Sequence, residues 1–396
     1  MHATLPGASR ALGLAAAVLL LAPAVRAGQI EVLHSFKGFA EGANPQGMVP
    51  GTDGAYYGIT TNGGTGKGGT LWRYASGRFS VLHAFTGGAD GDRPQCDLSF
   101  TAEGVFGTTT HGGTDDAGTL FRYDGDYQVL ASFPVQASVP RSGVAIDPAG
   151  ALYGTTSRGG AYDRGTVWRF DPASATFSLV HAFNGHDGSH PVTTPLLASD
   201  GRLVGTTRDD GVPLPGHPDG PGTIWSVATD GSDFSVRSVR GGAGPYGLTP
   251  DGAGNAFTVA YSGGLHSVGA ILQVAADGRS RSVHAFRSIR DPGGALPSGE
   301  LLAGPDGRSY YGATSMGGDP DCRCGTVFRY DSIDGTVETL HTFTGPDGSS
   351  PGARLAFDAQ GRLVGTAGGG GAYGNGTLFQ LTLEPVGAQP RVAGVR

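Results

Sequence analysis

The eighteen residues Tyr153 to Phe170, YGTTSRGGAYDRGTVWRF, constrain this chain more than any other feature, because the same phrase returns along its whole length. The glycine that opens the second half of the phrase falls at Gly69, Gly118, Gly165, Gly222, Gly269, Gly325 and Gly376. Threonine follows six of the seven, and Ala270 follows the fifth. The first half recurs as YGITT from Tyr57, FGTTT from Phe106, VGTT from Val204, YGATS from Tyr311 and VGTA from Val364, and is worn down to FTVAYSGG from Phe257. A third element of the VLHAF type recurs at Val32, Val81, Val129, Leu179, Ser282 and Thr339. A proline closes the segment after it, at Pro45, Pro94, Pro140, Pro191, Pro245, Pro297 and Pro351. Proline suits the start of a strand, where no ladder donor is needed.

Each unit of roughly 50 residues therefore holds four short strands, the size of one propeller blade. We letter them A to D from the inside out. Strand A follows the proline, strand B carries YGTT, strand C begins at the Gly-Thr pair, and strand D is the VLHAF segment. Asp-Gly pairs such as Asp53-Gly54, Asp200-Gly201 and Asp306-Gly307 supply tight A–B hairpins. The count gives the closure. There are seven A, B and C strands, and the seventh unit ends at Leu378–Leu383 without a D strand, while the chain begins with an orphan D strand at Ile30–Phe36. The expected fold is an all-β, seven-bladed β-propeller whose N-terminal strand completes the last blade and removes the exposed sheet edges. An open solenoid leaves the orphan strand without a partner.

Glycine supplies 72 of the 396 residues, and because it recurs at fixed places in the repeat it reads as turn chemistry. The C strands TLWRY, TLFRY, TVWRF and TVFRY are apolar on both faces, as strands sandwiched between neighbouring sheets must be. Residues 1–27 differ. Arg10, the apolar run Ala11–Ala22 and the small-residue ending Val25-Arg26-Ala27 read as a secretory signal peptide cut after Ala27. The run is too short to favour a membrane span, and Gly28 offers no cysteine for a lipid anchor. The propeller is then 28–384 and 385–396 a disordered tail, in an exported, periplasmic or secreted chain with no membrane span once mature and expected to be a monomer. The net charge of −7 argues against nucleic acid as a partner. Cys322 and Cys324 are spaced for a strained local disulfide in the sixth B–C loop, with Cys96 free across the ring. The alternative is a metal site, for which two ligands are too few, so no cofactor is expected.

The succession of LHxF, GTT, GG and GT elements resembles the GloVer tandem repeat of bacterial exported proteins, over about Gln29 to Leu383. The resemblance implies export, and in that family a separate C-terminal surface anchor. The residues after Leu383 hold no apolar tail, so release is expected. It implies no activity and no catalytic residue.

Among possible sites, the repeated His34, His83, His181, His284 and His341 lie one per blade on outer strands, far apart, and are expected to make a structural hydrogen bond within each blade. The repeated Arg73, Arg122, Arg169 and Arg329 are expected to be paired or to bury their stems. Function should sit where the repeat is broken, on the D–A and B–C loops that share one face. Blade 4 is richest, with His186, Asp187 and His190 in one loop and Asp209, Asp210, His217 and Asp219 in the other. Such groups can bind a divalent metal or a polar ligand, or be a solvated polar loop. Asp90, Asp92, His111, Asp115 and Asp116 form a weaker set around blade 2, their aspartates read as turn formers. Two functions follow. One is a binding or scaffold module whose loop face takes a glycan or an envelope protein. The other is a propeller lyase or hydrolase, which needs acids and histidines converging on the channel mouth. The glutamates, Glu31, Glu41, Glu103, Glu300, Glu338 and Glu384, map mostly to strands or turns away from that mouth.

Overall fold

The computed structural model describes residues 25–211 and 220–385; the expected signal peptide (up to residue 24), His217, Asp219 and the tail from 386 lie outside the described residues. Within them every named element is a strand. Seven antiparallel sheets follow one another along the chain, and they are the seven blades read from the repeat. Blade 1 is typical: A is Ala43–Pro50, B is Tyr56–Asn62, C is Thr70–Ala75 and D is Arg78–Ala84. Blade 7 combines both chain ends. Its A strand is split into Ser349–Pro351 and Ala356–Phe357, B is Leu363–Gly369, C is Thr377–Pro385, and D is the N-terminal strand Val25–Ser35. That closing strand pairs antiparallel with C from Ser35↔Thr377 to Val25↔Pro385. It thus starts on the leader side of the expected cleavage point.

The repeated residues explain the packing. In strand B the glycine of YGTT lies beneath the C-strand aromatic ring. A Cβ on Gly154 would stand 2.4 Å from Cζ2 of Trp168, and one on Gly205 2.4 Å from Cζ2 of Trp225. Trp72, Trp168 and Trp225 are in consequence almost fully buried. Two threonines then clamp B to C: Thr60 to Thr70 at 2.8 Å, Thr109 to Thr119 at 2.9 Å, Thr156 to Thr166 at 2.7 Å. In blade 5, where the repeat is worn, both positions change together, and Ala260 faces Ala270. An apolar pair leaves no orphaned hydroxyl, whereas one threonine alone could.

Blades are joined at the glycine of each Gly-Thr pair. At Gly118 (φ +106°) an added Cβ would meet the carbonyl of Thr109 at 2.2 Å and Cδ of Pro140, in the next blade, at 2.8 Å. Gly376 of blade 7 meets Pro45 of blade 1 in the same way, at 2.4 Å, so the last joint of the ring is built like the other six. The seam between those two blades carries a further link. The Tyr56 hydroxyl of blade 1 donates to Asp358 of blade 7 at 3.3 Å, and Gln380 and Arg362 hold the same carboxylate oxygen at 3.0 and 2.7 Å.

Candidate functional site

The D–A and B–C loops lie on one face, as the repeat predicts, and are tied to each other by backbone bonds. In blade 4 these run between Ser189 and Asp209 at 2.9 and 3.2 Å and from the Arg208 amide to the His190 carbonyl at 3.3 Å. The residue before each A-strand proline takes a left-handed conformation: Asn44, Arg93, Val139, His190, Leu296 and Ser350 have φ of 51–58°, and blade 5 uses Gly244. His190 therefore owes its place on this face to the common turn.

The blade 4 candidates come together as separate pairs. Asp187 is buried and accepts from His181 Nε2 at 2.9 Å and from the Asn184 amide at 2.7 Å. His190 Nδ1 lies 3.2 Å from Asp209, and Arg164 lies 3.0 Å from Asp210. His186 is exposed on the turn between them. Among the described residues no three His, Cys, Asp or Glu side chains are grouped to hold a metal ion.

The Asp187–His181 pair is one of a series. His34 meets Glu41 at 2.9 Å, His83 meets Asp90 at 3.0 Å and His341 meets Asp347 at 2.7 Å. In each pair the acid also accepts the amide of Lys37, Thr86, Asn184 or Thr344. Asp90 and its equivalents, expected only to form turns, are thus also the partners of the repeated histidines, and the bond runs from strand D to the loop that leads into the next blade. His284 departs from the series: burial and then the charge of Arg287 push it below its ordinary value against Asp291, and no carboxylate among the described residues bonds it. For Asp347, burial opposes ionisation but the His341 bond and the Thr344 amide outweigh it, so its carboxyl sits below the usual range. Its contribution is complete above the unfolded value near ~3.9 and is lost as pH falls through the lower folded value. Asp347→Ala is expected to cost about 1–3 kcal/mol by leaving His341 without its partner, and to flatten the acid limb of a melting-temperature profile. An unchanged acid limb would count against the latch. The repeated arginines are paired as expected, Arg73 with Asp53 at 2.8 Å, Arg122 with Asp124 at 2.8 Å, Arg169 with Asp171 at 3.1 Å and Arg329 with Glu338 at 3.2 Å.

Two groupings were not foreseen from the sequence. The first is on the loop face at blades 3 to 5. Arg141 follows the Pro140 of an inner strand, Arg158 lies near the end of strand B of blade 3 (Leu152–Gly159), Arg208 follows strand B of blade 4 (Arg202–Thr207), and Tyr246 and Tyr261 belong to blade 5. The Arg208 guanidinium lies 5.9 Å from the Tyr261 ring centroid, and the two tyrosine rings are 6.3 Å apart. Burial, and then the charges of Arg208 and Arg158, push Arg141 below its ordinary value, with Tyr246 opposing. Arg141 and Arg208 are exposed, and among the described residues neither is in an ion pair with a carboxylate.

The second is a belt on the inner strands, two residues before the one that pairs with the residue opening the YGTT phrase: Gly47, Asp97, Gly143, Thr194, Gly247, Glu300 and Arg354. The glycines make room, since a Cβ on Gly247 would come within 2.8 Å of Cγ of Glu300. Arg354 reaches back to Glu300 at 3.4 Å, and Glu300 is only 14% exposed. Burial pushes the Glu300 carboxyl up to about 7, Arg354 pulling it down and Asp97 pushing it further up. Asp97 is likewise raised by burial, against Arg354. Most of the glutamates are expected on strands or turns away from the channel mouth, and Glu300 lies on the inner strand Ala295–Ala303. Its neighbours come from blades 2 and 7, and no local pattern links them.

Comparison with known proteins bears mainly on the fold. The Gloeobacter/Verrucomicrobia repeat profile matches residues 17–217 and 211–389. No curated protein sequence matches. An oligogalacturonate lyase in complex with manganese superposes with a TM-score of 0.58 at 13% identity, covering 91% of this chain and 95% of the lyase. The extracellular domain of a one-component system from B. thetaiotaomicron gives 0.57 at 13% identity, over 92% of this chain and 43% of the other. A fungal alcohol oxidase of the AA5 family in complex with copper gives 0.57 at 16% identity, over 92% and 76%. At these identities the likeness is one of fold.

Proposed function

The chain belongs to the Gloeobacter/Verrucomicrobia repeat family, and from that premise we propose that it is an exported binding module whose loop face takes an acidic glycan. The observation that carries this reading is the pair of exposed arginines, Arg141 and Arg208, without a carboxylate partner among the described residues, beside Tyr246 and Tyr261 on a chain whose net charge is −7. Guanidinium groups match carboxylates in geometry, and tyrosine offers a sugar an apolar ring with a polar edge. The closed ring holds these groups on rigid strand ends, which limits the ordering cost of binding. Export rests on the leader read from residues 1–27. The binding of acidic saccharides by the structural neighbour named a lyase is compatible with this choice, and the arginine–tyrosine grouping supports it independently. Arg208→Ala is expected to weaken binding of a uronate oligosaccharide about tenfold, the loss of one charged hydrogen bond, and to reduce its salt dependence. Isothermal titration against the uronate and its neutral counterpart checks this. Equal binding of both sugars, or of neither, would remove the proposal.

A second reading is supported by the inner belt. Asp97 and Glu300 are two inner-strand carboxyls that burial pushes up, and a carboxyl that keeps its proton toward neutral pH is what general-acid chemistry needs. If the module is an enzyme, acidic oligosaccharides incubated with it shorten in mass spectra, and Glu300→Gln stops the shortening.

A further inference from the structure

The sixth B–C loop carries the only bridged cysteines among the described residues, Cys322 and Cys324, two residues apart with Cα atoms 5.2 Å apart. The bridge is not needed to shape the loop. Arg323, between the cysteines, is left-handed at φ +54°, and so are its counterparts Lys67, Asp116, Asp163 and Ser267, at 52–69°, in loops that have no cysteine. The backbone bonds around it are also those of the other loops. Ser350 donates to the Cys324 carbonyl at 2.8 Å as His190 does to Arg164 and Leu296 to Val268, and Gly325 donates to Gly317 at 3.0 Å as Gly118 does to Gly112. The repeat thus sets the turn, and the sulfurs are added to it. A ring enclosing one residue also restricts the unfolded chain least of all disulfides. A staple for stability would span more of the chain.

The two cysteines differ in exposure. Cys322 is exposed on the loop face, whereas Cys324 is 7% exposed and packs with Phe343 and Leu355. Between them in the chain stands Arg323, whose Nε–H is buried without a hydrogen-bond partner among the described residues, and a positive charge near a cysteine favours its thiolate.

We propose that Cys322–Cys324 is a thiol–disulfide exchange site that takes an exposed dithiol as its partner. A partner thiolate attacks Sγ of Cys322; the Cys322–Cys324 bond breaks, and its electron pair leaves on Sγ of Cys324, which takes up a proton. The partner's second thiolate attacks the partner sulfur of the mixed disulfide and releases Cys322. The partner dithiol is oxidised by two electrons and the bridge is reduced by two. The reverse sequence oxidises the loop.

Dithiothreitol at millimolar concentration, added to the folded full chain without denaturant and followed by alkylation and mass spectrometry, tests this. Cys322 and Cys324 are expected to be labelled together within minutes, while Cys96, buried and with its thiol pushed up to about 12, stays unlabelled. The melting temperature is expected to move by about 2 °C or less, because the loop keeps its backbone bonds. Cys324→Ser, which frees the exposed sulfur, is expected to capture oxidised glutathione as a mixed disulfide at least ten times faster than Cys322→Ser. Labelling only in denaturant, labelling before any reductant is added, or equal capture by the two variants would each overturn the proposal.

Discussion

A chain shortened to begin at Lys37 is expected to lose cooperative unfolding and native near-ultraviolet dichroism. The closing strand Val25–Ser35 is the outer partner of the C strand of blade 7 along its whole length. Without it, Thr377–Pro385 becomes a free sheet edge, which pairs readily with other chains. The apolar residues lost with it lie at the seam. Phe36 is fully buried with Met48, Trp72 and Leu378, with Leu33 packed against them, and Ile30 packs against the core on the other side of the strand. Full burial of such a side chain contributes about 1.5–3 kcal/mol, which Phe36 reaches and the partly buried Leu33 and Ile30 add to, and domain stability is only about 5–15 kcal/mol. His34 would go too, and with it the bond to Glu41 and the stacking on Phe79 of blade 1 at 4.1 Å. Differential scanning calorimetry of the two chains decides the matter. An equally sharp transition at an unchanged temperature in the shortened chain would mean that the ring does not depend on this strand. Phe36→Ala is the graded version, with an expected cost of about 3–5 kcal/mol.

Glu300→Gln is expected to raise stability at neutral pH, by an amount that grows between about pH 4.5 and 7. The folded carboxyl is raised to about 7 by burial and by Asp97, with Arg354 opposing. Below the unfolded value both states hold the proton and the group contributes nothing. Between the two values the unfolded chain ionises first, the folded chain binds more protons, and stability falls as pH rises. The shift sets an upper limit of about 3 kcal/mol. Glutamine keeps an oxygen to accept from Arg354 and has no proton to lose, so the variant's profile should be flat where that of the natural chain declines. Parallel profiles for the two chains would show that Glu300 is not held in an unfavourable state. The same variant bears on the enzymatic reading, because a group that disfavours its own ionisation is retained more readily where its proton is used.

Much of this was legible in the sequence. Blade number, strand order, the closing strand, the shared loop face and the hydrogen-bonded histidines all come from residues within one repeat, or from counting repeats. Periodicity reports such features because each copy repeats the same local problem: a glycine under an aromatic ring, a threonine clamp, a proline against the glycine of the preceding blade. For Cys322 and Cys324 the chain spacing permits a bridge without deciding it, and the structure makes it. Other features are decided only when the ring closes. Asp97, Glu300 and Arg354 lie on blades 2, 6 and 7, and each replaces the glycine or threonine of its neighbours without altering the local pattern. Arg141 and Arg208 likewise look like ordinary loop residues until blades 3, 4 and 5 stand side by side. In blade 4 the ring also acted in the opposite sense, separating a cluster of sequence neighbours into the pairs His181–Asp187, His190–Asp209 and Arg164–Asp210. The sequence alone therefore determined the scaffold, whose interactions are local and repeated. Tertiary structure decided which charges meet, because electrostatic interaction depends on distance in space, and closing the ring brings together residues more than 200 positions apart.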